Sequence, residues 1–166
     1  FGLPAAKKLF ELSYGQKKKF LISFGLATGC SLVLFDEPTN GLDIPSKSQF
    51  RRLVASTIDE NQVFIISTHQ VRDMENLIDP IIIVEDGRII FNAGMADVSR
   101  KISVHMSQSP QEGSEVLYAE KVLGGYSVVT ETGGEPETAV DLELLFNAVV
   151  DENRRVCNLF DGGERE

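Results

Sequence analysis

The sequence predicts an α/β fold: a mostly parallel sheet with helices packed on it, closed by an antiparallel hairpin and followed by a small α+β appendage. The first sign is a run of apolar residues, Leu32 to Phe35, that ends in two adjacent carboxylates, Asp36 and Glu37, and then Pro38. A helical pattern and a second apolar run, Val63 to Ser67, follow within about three dozen residues, the spacing of a βαβ unit with parallel strands and a right-handed crossover. Further on, Asp86-Gly87 stands between Ile81–Glu85 and Arg88–Phe91, and Asp-Gly between two strand-like runs marks a type I′ hairpin.

A chain of 166 residues forms one domain, or one domain with an appendage, and can bury a sizeable core. Sixteen basic against twenty-five acidic side chains give a net charge of -9, which disfavours a phosphate-backbone partner, so no nucleic acid is expected. No run approaches the eighteen or so apolar residues that span a bilayer, so any membrane link passes through another subunit. Cys30 and Cys157 lack metal-ligand spacing and read as buried free thiols of a reducing compartment. No secretory signal is visible, and an opening Phe in place of Met implies residues upstream.

From the start, Pro4 breaks an element that continues as a short helical pattern to Leu12. Ser13 is a good N-cap for a helix whose Phe20, Phe24 and Ala27 share a face and which ends near Gly29. Ser13 and Gly15 open that helix as an anion site, because unpaired N–H groups and the positive end of the helix dipole point the same way. Lys17, Lys18 and Lys19 oppose the dipole there, a placement that makes better sense if an anion arrives.

Leu32 to Phe35 reads as a strand buried on both faces that delivers Asp36 and Glu37 at its C-terminal end, where open parallel sheets place their chemistry. Pro38 cannot continue a central strand. Asp43 and Pro45 start a helix with Phe50, Leu53, Val54, Thr57 and Ile58 on one face, ended by Asn61. Parallel pairing of Val63 to Ser67 with the first strand lets His69 approach Asp36 and Glu37. A helix with Val71, Met74 and Leu77 follows, and the hairpin then closes the sheet, with the domain ending near Gly94.

Beyond Met95 the pattern changes. Ile102 to Met106 and Tyr126 to Thr130 read as strands, Ser107 to Ser114 as a polar turn-rich stretch, and Gly133-Gly134-Glu135-Pro136 as a loop. A helix with Leu142, Leu145, Phe146 and Val149 on one face comes next, and the last residues read as frayed. The tail reads as an extension that covers a sheet edge, the other reading being a module that regulates or dimerises the protein.

Gly41 to Ser48 nearly matches the phosphate-loop pattern G-x-x-x-x-G-K-[ST]. However, Ser46 replaces the second glycine and Pro45 removes an N–H that a phosphate cradle needs, so this chain has no phosphate loop.

Three motifs therefore stand in order: Leu12-Ser13-Tyr14-Gly15-Gln16, the strand with Asp-Glu-Pro-Thr-Asn-Gly-Leu-Asp ending at Asp43, and Ser67-Thr68-His69. Together they resemble the C-terminal half of the ATP-binding cassette (ABC) ATPases, as signature motif, Walker B strand with D-loop, and switch histidine. The resemblance covers roughly Leu12 to Phe91 and implies a partial P-loop NTPase-like fold, residues 1–94 being the C-terminal portion of the nucleotide-binding domain and 95–166 an extension. It implies that ATP and Mg²⁺ are the cofactors, with Asp36 holding the metal through water, Glu37 polarising the attacking water as general base, and His69 contacting the γ-phosphate. In that family two cassettes pack head to tail. Ser13, Tyr14, Gly15 and Gln16 would then meet the partner's nucleotide, and Asp43 would link the two sites.

Two departures from the family pattern stand out. Tyr14 takes the usual place of a glycine, which crowds the phosphate approach and requires backbone torsions that suit a side chain. The phosphate loop, the base-stacking aromatic and the glutamine loop are absent from this chain. The resemblance implies an energy-coupling ATPase subunit of a membrane transporter, closer to an exporter, with an integral membrane partner and a location at the inner face of the cell membrane. The second class that shares these motifs is the soluble cassette ATPases acting on DNA or ribosomes. Against it stand the acidic charge and the absence of a heptad pattern before the signature.

Overall fold

In a computed structural model, residues 1–74, 77–110, 113–132, 140–151 and 153–160 are described. They form two compact units, 1–77 and 78–166.

In the first unit, α1 (Tyr14–Ala27) starts at Ser13, whose Oγ accepts the Gln16 N–H at 3.3 Å while the Gln16 side chain accepts the Ser13 N–H at 3.0 Å. This reciprocal cap satisfies two of the donors that a helix start leaves unpaired. Strand β1 (Leu32–Asp36) pairs in parallel with β2 (Val63–Ser67), in a register that sets Phe35 beside Ile66 and Asp36 beside Ser67. Between them lies α2 (Ile44–Thr57), capped by Asp43, whose Oδ1 accepts the Ser46 N–H at 2.8 Å. Phe35 packs edge-on against Phe50 and Phe64, and Gly25 of α1 lies close enough to the Phe35 ring that an added Cβ would sit at 3.2 Å.

Several expectations are corrected here. The β1 strand is not buried on both faces: Leu32 and Leu34 are 51% and 67% exposed while Phe35 is buried. Helices α1 and α2 pack on the Phe35 side, and Leu32 and Leu34 point the other way by strand alternation. In α1 the buried residues are Ile22 and Leu26, whereas Phe24 is exposed and stacks on Phe20. Because α1 carries apolar residues on more than one face, its periodicity does not choose between them. The α2 helix ends at Thr57 rather than Asn61, leaving Ile58 exposed. After His69 a 3-10 turn, Val71–Met74, takes the place of the expected helix and still buries Met74 completely. The helical pattern before Leu12 is likewise one 3-10 turn, Leu9–Glu11. Cys30 is exposed in the loop after α1, and only Cys157 is buried.

The second unit contains the hairpin of β3 (Ile81–Glu85) and β4 (Arg88–Ala93). Asp86 and Gly87 both have positive φ, 47° and 73°, as a type I′ turn demands. The hairpin forms a two-stranded sheet. Within this unit it packs with the C-terminal residues: Phe91 meets Phe160 at 5.0 Å between ring centroids, and the Cys157 thiol donates to the Ile90 carbonyl.

The rest of this unit is α3 (Met95–Lys101), the antiparallel sheet β5–β7–β6, and the helices α4 (Leu142–Asp151) and α5 (Asn153–Phe160). Strands β5 (Ile102–Ser107) and β7 (Gly125–Glu131) match the expected ones, while β6 (Val116–Val122), α3 and α5 are additions. Ile102, Val128, Val129, Leu145, Val149 and Val156 form the centre of its core. Phe146, expected on the inner face of α4, is 40% exposed, and Leu144 is buried in its stead. The expected loop at 133–136 and the frayed end at 162–166 lie outside the described residues.

Candidate functional site

The parallel register places the chemistry at the C-terminal ends of β1 and β2. Glu37 continues the ladder by one bond, its N–H donating to the Ser67 carbonyl at 2.9 Å. Its φ of 46° then turns the chain sharply before Pro38. A left-handed conformation in a residue with a side chain is uncommon and costs strain that the surroundings must hold. Here the carboxylate provides the hold. Glu37 Oε1 lies 2.7 Å from His69 Nδ1 and accepts the His69 backbone N–H at 2.9 Å, and Oε2 accepts the Thr68 hydroxyl at 3.2 Å.

Partial desolvation pushes the Glu37 pKa up, but the His69 ring and backbone donors and Thr68 together prevail and lower it below its ordinary value. An ionised carboxylate only accepts, so the proton of the His69–Glu37 bond sits on Nδ1. His69 is itself 65% exposed, leaving its Nε2 side to solvent or ligand. Asp36, also exposed, accepts the Ser67 hydroxyl through Oδ1 at 2.5 Å.

Ser13, Tyr14, Gly15 and Gln16 stand at the start of α1, Asp43 caps α2, and Asn40 and Gly41 between β1 and α2 lie against α1. Tyr14 is 71% exposed, and its ring lies against Gly41, where a Cβ would come within 3.1 Å of it. Tyr14 begins the helix with ordinary negative φ, so its torsions suit a side chain. Lys18 Nζ donates to the Asn40 carbonyl at 2.8 Å, and Lys19 lies 4.0 Å from the Asp43 carboxylate. Two of the three lysines expected to await an anion are thus engaged by the segment after β1, and Lys17 is exposed. Hydrogen bonds from Ser46 lower the Asp43 pKa against slight desolvation, with Lys19 adding to the effect.

The structure therefore brings Asp36, Glu37 and His69 together at one strand edge and gathers the remaining expected residues at the two helix starts. Sequence reasoning missed Ser67 and Thr68 as partners of the two carboxylates. Writing the two apolar runs side by side in parallel register would have set Ser67 opposite Asp36. It also missed the lysine contacts, which depend on tertiary placement.

No cluster of three or more metal-ligating side chains occurs among the described residues. Mg²⁺ is compatible with that poverty, because it keeps several waters and takes one or two carboxylates plus substrate phosphates. Asp36 fits as such a carboxylate. No helix among the described residues is long and apolar enough to cross a membrane.

A family model described as "AAA domain, putative AbiEii toxin, Type IV TA system" matches residues 8–72. An energy-coupling factor transporter ATP-binding protein of Mycoplasmoides gallisepticum is 37% identical over 81 residues, 49% of this chain and 26% of the relative. The ABC transporter ATP-binding protein NatA of Bacillus subtilis is 31% identical over 118 residues, 71% of this chain and 46% of the relative. An uncharacterized ABC transporter ATP-binding protein of Methanocaldococcus jannaschii is 28% identical over 118 residues, 70% of this chain and 45% of the relative. The chain spans less than half the length of each of these relatives.

Proposed function

We propose that this chain, similar over residues 8–72 to an AAA-domain family and over 71% of its length to an ABC transporter ATP-binding protein, serves as the nucleotide-hydrolysing half of an energy-coupling transporter subunit of the ABC family. The observation that carries this reading is the Glu37 carboxylate fixed by His69 at the end of a parallel strand pair. Phosphoryl transfer needs little covalent chemistry from a protein. It needs charge neutralisation and a positioned water.

In this reading Glu37 accepts a hydrogen bond from the attacking water and aligns it. It polarises that water as general base. With Nδ1–H committed to Glu37, the His69 Nε2 can donate to a γ-phosphate oxygen only as imidazolium. Asp36 would hold Mg²⁺, which when bound supplies neutralisation of phosphate charge. Ser13, Tyr14, Gly15 and Gln16 offer the start of α1 to the nucleotide of a second cassette, with Asp43 at the shared boundary. ATP binding on this protomer depends on a phosphate loop, which these 166 residues do not contain. Residues 1–94 act as the ATPase portion and 95–166 as its extension, and the membrane connection runs through an integral partner subunit at the inner face of the cell membrane.

The test is Glu37→Gln in the longer protein that supplies a phosphate loop. Nucleotide binding is expected to persist while turnover falls by at least about a hundredfold, the usual weight of a general base. An unchanged steady-state rate would remove Glu37 from this role. Co-purification with nucleic acid in place of a polytopic membrane protein would instead favour a soluble cassette ATPase.

A further inference from the structure

Lys47, the lysine of the rejected phosphate-loop match, has a different and specific environment. It lies in the first turn of α2, where a cation opposes the helix dipole. Its ammonium reaches across to the residues after His69, donating to Gln70 Oε1 at 2.8 Å and pairing with the Asp73 carboxylate at 2.7 Å. Both charged side chains are largely covered, 23% and 16% exposed, so solvent screens the pair less than it would a surface ion pair. Arg51, one turn further along α2, adds a donor to the Asp73 carbonyl at 3.3 Å. On the other side of the turn, the Gln70 N–H donates to Thr68 Oγ1 at 2.9 Å, and Thr68 in turn reaches Glu37.

From these contacts we infer that Lys47 is a positioning residue that holds the His69 turn against Glu37 and couples that turn to the helix start capped by Asp43. A 3-10 turn of four residues, Val71–Met74, has little intrinsic preference to remain in one place. The Lys47 ammonium ties down Asp73 within this turn and Gln70 just before it, from a helix that the buried Phe50 and Val54 anchor. That this matters for hydrolysis rests on the function proposed above. The placement itself can be measured without nucleotide.

The experiment uses the whole 166-residue chain, which has only two histidines, His69 and His105. Amide hydrogen exchange at His69 is compared in wild type, Lys47→Met, Lys47→Arg and Asp73→Asn. Removing the ion pair and its hydrogen bond in Lys47→Met is expected to cut protection of the His69 amide about tenfold. The α2 and β1 amides are expected to stay unchanged. Asp73→Asn is expected to behave similarly, and Lys47→Arg to retain most of the protection. Wild-type protection in Lys47→Met overturns the inference, and so does an equal loss at every amide of the first unit, which marks a general stability effect. Either result leaves the Glu37→Gln test standing, so failure here is distinct from failure of the ATPase reading.

Discussion

Glu37 is sensitive to acid because its folded form is built around an ionised carboxylate that accepts from His69 and Thr68. Its pKa in the fold lies below the ordinary 4.5. The stabilisation is therefore fully present above that ordinary value and is lost as pH falls through the depressed one. Asp43, lowered from 3.8 by its Ser46 bonds, behaves the same way. Urea midpoints for the wild-type chain should fall on acidification below about pH 4.5, and Glu37→Gln should flatten that part of the profile. Ser13→Ala, which removes the reciprocal cap of α1, should lower stability by about 1 kcal/mol in the same measurement. Asp36, Glu37 and His69 are legible in the chain because a strand register is a simple offset. Ser67, Thr68 and Lys47 are not, since their roles depend on which rotamers meet across separate elements.

Among the elements, β1, β2, α2 and the β3–β4 hairpin follow directly from periodicity and turn residues. The α1 face and the short helices do not. An apolar helix with phenylalanines and aliphatics on adjacent faces is oriented by what packs on it, here Phe35 against Gly25. Phe50→Ala would remove a ring that is fully buried and edge-on to Phe35, and about 3–5 kcal/mol of stability is expected to go with it in denaturant unfolding. The antiparallel sheet of the second unit has a comparable single point of failure. Gly125 opens β7 at φ 151°, and a Cβ there would lie 2.2 Å from the Ser107 carbonyl oxygen. Gly125→Ala should destabilise that unit by more than about 1 kcal/mol, seen as loss of exchange protection in β5 and β7.

At the scale of the whole chain, the 166 residues contain no phosphate-loop pattern. Isolated, the 166 residues are expected to bind ATP weakly or not at all, and tight Mg²⁺-dependent binding in a calorimetric titration would overturn that expectation. The family resemblance and its order of motifs are legible from roughly Leu12 to Phe91. The packing of the hairpin with the C-terminal residues is not, because no local pattern announces that Phe91 will meet Phe160.

The parallel pair has one further consequence, a matter of handling in solution. Leu32, Leu34, Val63 and Ile65 are all more than half exposed and lie on one side of β1–β2. Parallel sheets ordinarily have both faces covered, and a bare apolar face beside unpaired strand edges is sticky. Mutual repulsion from the net charge of -9 opposes clumping of the purified chain. Salt screens that repulsion, so turbidity should rise with ionic strength, and Ile65→Lys should suppress the rise.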